Sequence, residues 1–157
     1  MYPSLTSQHD ILQMLDELTQ SRRKILQSCD TLSIQQLNDP VYPGTWNLLK
    51  NLAHLAFAEW FMLASIKSRP EPLAKDKFPK EPDHDLNSIR IALDEAQAEA
   101  IAFLKSHPES VLTENCIFGK NPQTVGGLYF HIIEHEIAHR AFILHKISKV
   151  QNKTYSE

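Results

Sequence analysis

Three histidines spaced four residues apart, His131, His135 and His139, lie in the run His131-Ile-Ile-Glu-His-Glu-Ile-Ala-His-Arg140. Residues i and i+4 are stacked neighbours on one helix face, so two imidazoles with this spacing can turn their nitrogens toward one metal ion. From His131 to His139 a helix rises about 12 Å, whereas a metal–nitrogen bond is about 2.0–2.1 Å long. A single ion therefore takes two adjacent rungs of this ladder, either 131 with 135 or 135 with 139. Half of the chain's eight histidines fall between His131 and His145. The surrounding residues are apolar, and an unsatisfied buried imidazole costs about 1–3 kcal/mol. Metal binding supplies a partner; so would a carboxylate or a backbone carbonyl.

The same run contains two literal zinc signatures. His135-Glu136-x-x-His139 is the HExxH of metallohydrolases, in which the glutamate is the general base, and His131-x-x-Glu134-His135 is its inverted form. They share His135, so at most one is used. His145 occupies the place of a metzincin third ligand, but Phe142 stands where that motif needs glycine. On a continuous helix His145 is rotated by about 240° from His139. The other zincins take a later glutamate, and after the fourth helix only a short polar tail ending in Thr154-Tyr-Ser-Glu157 remains. A metallohydrolase is thus the remote alternative.

Four helical patterns position these residues. The 157-residue chain has the length of one domain, with four glycines and no strand-like alternation. The first helix is predicted over about residues 5–29, with Ile11, Leu12, Leu15, Leu18, Ile25 and Leu26 at helical spacing. A short helical turn follows within 30–38, and Asp39-Pro-Val-Tyr-Pro-Gly44 is a loop. The second helix is predicted over about 45–68 with Thr45 as N-cap, and it is apolar almost all round. Its polar residues Asn47, Lys50, Asn51 and His54 form a narrow strip, which reads either as a solvent face or as a seam inside the bundle. A proline-containing connection over 69–85 is long enough to cross the bundle, so that the second and third helices run parallel. The third helix covers about 86–106, and a loop over 107–123 leads to Thr124, the expected cap of the fourth. Leu128, Tyr129, Ile132, Ile133, Ile137, Phe142, Ile143, Leu144 and Ile147 make that last helix apolar around its axis, which predicts a central position. The expected fold is an all-α four-helix bundle, up-down-down-up, with a long crossover between helices 2 and 3.

Net charge is -3 with scattered Lys and Arg, which argues against a nucleic-acid or anionic-membrane surface. Cys29 and Cys116 are too few and too far apart for a metal knuckle or disulfide framework and read as reduced thiols. The first ten residues lack the pattern of a signal peptide and no apolar run reaches membrane-spanning length, so a cytoplasmic location is expected.

The segments Thr31-Leu-Ser-Ile-Gln-Gln-Leu-Asn, Pro43-Gly-Thr-Trp-Asn-Leu-Leu-Lys-Asn-Leu-Ala-His54-Leu-Ala-Phe-Ala-Glu-Trp60 and His135-Glu-Ile-Ala-His139-Arg140 together resemble the DinB/YfiT superfamily of metal-binding four-helix bundles. Helix count, loop lengths and motif order agree over nearly the whole chain. The resemblance implies that His54, His135 and His139 bind a divalent ion, zinc or nickel before iron or manganese. It also selects the 135/139 rungs and moves His54 from surface residue to ligand. One departure is Ala141-Phe142, where the family commonly has Gly-Gln after the arginine. Three histidines leave an open coordination position. Members with assigned activity use low-molecular-weight thiols as transferases or isomerases, so the resemblance implies a metal- and thiol-dependent S-transferase acting on small electrophiles. A non-catalytic metal-binding stress-response bundle is the alternative. Glu134 and Asn51 are candidates for orienting the ligands, Glu136 and Arg140 for an intrahelical ion pair. A homodimer is expected, with small molecules as the other partners.

Overall fold

The structure, a computed structural model, describes residues 1–154; Tyr155, Ser156 and Glu157 of the polar tail lie outside the described residues. Four long helices carry the core: α1 (Gln8–Asp30), α3 (Leu48–Lys67), α4 (Leu86–Ser106) and α5 (Val125–Gln151), with a short α2 (Ile34–Asn38) after α1. α1 begins where Ser7 accepts from the Asp10 N–H, and α2 is closed by a capping box between Ser33 and Gln36. α5 begins at the expected Thr124, whose Oγ1 accepts from Gly127 N–H. The cap of α3 is Asn47 rather than Thr45: the Asn47 side chain accepts from Lys50 N–H, while Thr45 Oγ1 donates to Pro40 O and Tyr42 O.

Contacts between the helices fix their directions. Gln8, at the start of α1, reaches Leu104 O and His107 O beyond the end of α4, and Arg90 near the start of α4 pairs with Asp30 at the end of α1, so these helices are antiparallel. The start of α1 also lies beside the start of α5, where Leu5 N–H donates to Gly126 O, and Gln36 after α1 meets Val150 O at the end of α5. α3 runs parallel to α4, with Lys67 at the end of one paired to Glu99 of the other. The order is up-down-down-up, and residues 68–85 make the crossover. Its only regular element among the described residues is a 3-10 turn at Lys75–Lys77. Leu15, Leu18, Met62, Leu63, Leu104, Leu128 and Tyr129 form one part of the core; Leu26, Leu48, Leu52, Leu93 and Ile143 form the other. Cys29 and Cys116 are free and buried, as expected of reduced thiols. No helix among the described residues is long and apolar enough to cross a membrane.

Two parts of the structure depart from the sequence reading. The loop before α5 contains a 3-10 turn (Glu109–Thr113) and an antiparallel hairpin, β1 (Asn115–Phe118) and β2 (Asn121–Thr124), in which Phe118 pairs with Asn121 across a two-residue turn at Gly119 and Lys120. Gly119 has φ +63, which favours glycine in such a turn. The hairpin turns Cys116 and Gln123 inward; Gln123 Oε1 accepts from Tyr2 N–H, and Phe118 packs edge-on against Phe61 and His131. Secondly, α5 is not buried all round. Ile137 (54 %), Phe142 (63 %) and Leu144 (48 %) are exposed, because α1 and α3 cover only part of its circumference.

Gly126 is where the amino-terminal segment crosses α5. A Cβ there would stand 2.0 Å from Leu5 O, a backbone atom that a side-chain rotation cannot move aside. Gly126→Ala is therefore expected to destabilise the fold by about 1–3 kcal/mol, the usual range for overpacking, in urea denaturation. An unchanged denaturation midpoint would show that the segment before α1 is not held against α5.

Candidate metal centre

α3 and α5 are antiparallel neighbours, and the strip of α3 that carries His54 faces the histidine ladder of α5. His54 lies 5.3 Å from His135 and 5.1 Å from His139 between ring centroids, and the two α5 rings are 4.4 Å apart. One ring nitrogen from each can be chosen so that all three lie within 4.8 Å of one another. Within the strip Lys50 is exposed, Asn51 is buried and His54 is partly buried, so its His54 end faces the inside of the bundle. His131 stays out of this cluster. Its Nε2 meets Tyr2 Oη at 3.0 Å and its Nδ1 meets Glu134 Oε2 at 3.2 Å, so both ring nitrogens are engaged, and its ring is stacked on Tyr2. Of the rungs that spacing left open, 135 and 139 converge with His54, while 131 is tied to the amino-terminal segment.

The cluster suits a divalent ion. Its donors are three neutral-type imidazoles, and His139 Nδ1 is buried without a hydrogen-bond partner among the described residues, the kind of orphaned polar atom that needs an explanation. Burial lowers the pKa of all three histidines, and the neighbouring imidazoles add to the effect at His135 and His139; His135 is pushed down to about 4. The neutral, lone-pair-bearing form required of a ligand is the one this environment favours. Trp46 stands edge-on to His54 with centroids 5.0 Å apart, and the Glu81 carboxylate on the crossover opposes part of the shift at His54.

The residues next to the ligands play parts other than those the sequence suggested. Glu134 holds His131, and Asn51 Nδ2 donates to Trp46 O and Asn47 O. Glu136, the glutamate of the literal HExxH, is 4 % exposed and accepts from Arg22 through both oxygens and from Arg140 through Oε1. With its carboxylate forked by Arg22 it is a structural anion and not a base waiting beside the triad, which removes the hydrolase signature's main chemical component. The expected Glu136–Arg140 pair exists at 3.0 Å, but as one edge of a buried network: Arg22 also donates to Glu59 and to Leu93 O, and Arg140 to Ser21 and Leu18 O. Glu59 is buried, and desolvation with the nearby Glu136 charge raises its carboxyl to about 7 against the pull of Arg22. The sequence carried one signal of this network, since Arg22 falls in the buried row of Leu15, Leu18 and Ile25.

A cavity of about 430 Å³ opens beside His139, with Trp46, Tyr42 and Phe142 among its walls. His145, excluded from the ligand set by helical rotation, lines the far part of this cavity, stacked on Tyr42 with Nε2 3.1 Å from the phenol oxygen. The triad and the cavity lie side by side, with His139 common to both.

Comparison with known proteins agrees with the architecture. The chain matches the DinB superfamily over residues 17–143, a span that includes all three histidines. Among solved structures it is similar to a DinB-like protein from Bacillus cereus ATCC 10987, with a TM-score of 0.72 and 19 % identity over 100 % of this chain and 99 % of that one. It is also similar to a DinB-like protein from Bacillus subtilis, with a TM-score of 0.62 and 11 % identity over 92 % of this chain and 96 % of that one. At such identities the likeness is one of fold. A search of curated proteins finds no match. With the family's sequence pattern running from the middle of α1 to the last third of α5, and its helical fold reproduced end to end, this chain belongs to the DinB superfamily.

Proposed function

We propose that the protein is a divalent-metal-dependent S-transferase that joins a low-molecular-weight thiol to a small electrophile. The observation that carries this reading is the convergence of His54, His135 and His139 at the edge of a cavity, with His139 Nδ1 buried and unpartnered. Three protein ligands are the pattern of a reactive site, because a closed structural site uses four. Zinc or nickel suits the imidazole set best, with iron or manganese next. When bound, such an ion supplies positive charge that favours the thiolate over the thiol. The chain's own residues provide the rest. Burial favours the neutral form of the three histidines, each of which offers a ring nitrogen within 4.8 Å of the others. Tyr42, Trp46 and Phe142 offer an apolar wall for the electrophile and limit the water around it. The sulfur–carbon bond then forms as the leaving group departs with its bonding pair, and the thiol proton is released to solvent.

Zinc- or nickel-loaded protein is expected to accelerate conjugation of cysteine or glutathione to a haloalkyl bimane, followed by fluorescence, and His135→Ala to return the rate to the uncatalysed one. Equal activity of the alanine variant would refute the transferase reading. A large drop in melting temperature on chelation, with no conjugation by any thiol, would assign the ion to stability instead.

A further inference from the structure

Along α5, His135, His139, Phe142 and Lys146 follow one another at i, i+4, i+7 and i+11, which places them in one stripe of the helix. Lys146 lies two turns, about 10 Å, beyond His139 along the axis. It is 7 % exposed, lines the same cavity, and donates from Nζ to Pro40 O at 2.7 Å and Thr45 Oγ1 at 3.0 Å. An ammonium has three donors, so one remains for a ligand. None of the residues lining the cavity is an Asp or Glu; the carboxylate that acts on the Lys146 charge is Asp39, on the loop outside the lining. A buried cation, apolar walls and no acid in the lining make an amphiphilic anion the complementary occupant.

The loop that completes this end of the cavity is fixed in advance. Val41 has φ +68, a left-handed conformation that a β-branched residue rarely adopts. It is held by its N–H on Asp39 Oδ1, by Thr45 Oγ1 on Pro40 O and Tyr42 O, and by the Lys146 bonds just described. The Tyr42–His145 contact ties the loop to α5 a second time. Trp46 and Phe142, 40 % and 63 % exposed, stand at the mouth, where large exposed aromatics mark a binding surface more often than a core.

We propose that the cavity binds a small molecule with an aromatic or alkyl body and a carboxylate end, the carboxylate on Lys146, the body between Trp46 and Phe142, and the opposite end directed at His139. That this molecule is the electrophile of the transfer rests on the function proposed above; that it carries a carboxylate rests on Lys146 and the acid-free lining. Lys146 is then the residue that sets substrate class, selecting anionic over neutral or cationic acceptors.

Isothermal titration calorimetry of 4-phenylbutyrate and its neutral counterpart 4-phenylbutanol, on metal-loaded and chelated protein, tests this. A hydrogen bond to a charged group is worth about 1.5–3 kcal/mol, so Lys146→Met is expected to weaken the carboxylate about 10- to 100-fold and leave the alcohol unchanged. Lys146→Arg, which keeps the charge, is expected to restore most of the affinity. Chelated wild-type protein should still prefer the carboxylate to the alcohol, a comparison that needs no variant to fold. Equal affinity for the two ligands in chelated wild type, or carboxylate binding unaffected by Lys146→Met, would overturn the assignment. Lys146-dependent binding in a protein that takes up neither zinc nor nickel when they are added would instead overturn the transferase reading and leave the carboxylate site standing.

Discussion

Replacing Arg22 with methionine is expected to cost about 3–5 kcal/mol of folding stability, the usual penalty for removing one partner of a buried ion pair. The side chain is 5 % exposed and sits at the centre of the bundle, with its Nε and one terminal nitrogen forked onto Glu136, the same terminal nitrogen on Glu59, and the other on Leu93 O. Methionine fills much of the volume but leaves two carboxylates without their cation. Glu136 keeps Arg140; Glu59, whose Oε1 already lacks a partner, keeps nothing among the described residues. Urea denaturation of the variant beside wild type measures the loss. Adding Glu59→Gln to Arg22→Met should recover part of it by deleting the stranded charge. Wild type contains a milder form of the same conflict. The folded pKa of Glu59, about 7, lies above its ordinary 4.5, so the folded state holds an extra proton between those values. The stabilisation from Glu59 is therefore complete below about pH 4.5 and is lost as pH rises through about 7. The histidine triad titrates in the opposite sense over part of that window, so the Glu59 contribution is read from the difference between wild type and Glu59→Gln. Their stability curves should diverge in the variant's favour as pH rises. Parallel curves, or an Arg22→Met variant within the range of an ordinary surface change, would show that the buried network carries no net charge strain.

The long elements and the histidine ladder of α5 were legible because each depends on local periodicity, whereas the choice of the 135/139 rungs and the inclusion of His54 came from the resemblance to the DinB/YfiT superfamily. Apolar spacing gave the four helices, prolines gave the crossover, and Thr124 gave the cap of α5. The hairpin had no such signal. Its strands are four residues long, contain Pro122 and three Asn or Gln residues between them, and are ordered by docking on Phe61 and the amino-terminal segment. The cap of α3 was misplaced by two residues because Thr45 and Asn47 are both competent, and Thr45 is occupied by the Lys146 loop. Phe142 and Leu144 misled in another way: apolar residues on an outer face erase the amphipathic contrast that distinguishes a central helix from a peripheral one. The buried network was hidden because each charged residue, taken alone on its helix, reads as solvent-facing; only the position of Arg22 within a row of core leucines betrays it. His54 shows the limit of spacing most directly. On spacing alone its strip on α3 read first as a solvent face, and the imidazoles it meets are some eighty residues away in sequence, on α5.

Adding zinc or nickel to chelated protein is expected to raise its melting temperature, by the equivalent of about 2.7 kcal/mol when the free ion is at 100 times its dissociation constant. His135→Ala should abolish most of this rise, because His135 is one of the three imidazoles that converge. Its loss should weaken the ion by more than the 10- to 100-fold typical of losing an outer-shell partner. The pH dependence follows from the same residues. In metal-free protein the folded pKa of His135 is depressed from 6.5 to about 4, so its stabilisation is present above pH 6.5 and lost as pH falls through about 4. Metal and proton compete for the same lone pairs, and His54 and His139 are also shifted down. Affinity should consequently be flat above pH 6.5 and fall only in more acid solution, with the loss of the ion and the charging of the histidines both acting to unfold the bundle. His131→Ala supplies the decisive comparison. It removes an imidazole from the same helix face, one turn away, but one whose nitrogens already face Tyr2 and Glu134. Metal affinity should survive that change nearly intact while His139→Ala destroys it. The reverse result would place the ion on the 131/135 rungs and detach His54 from the site.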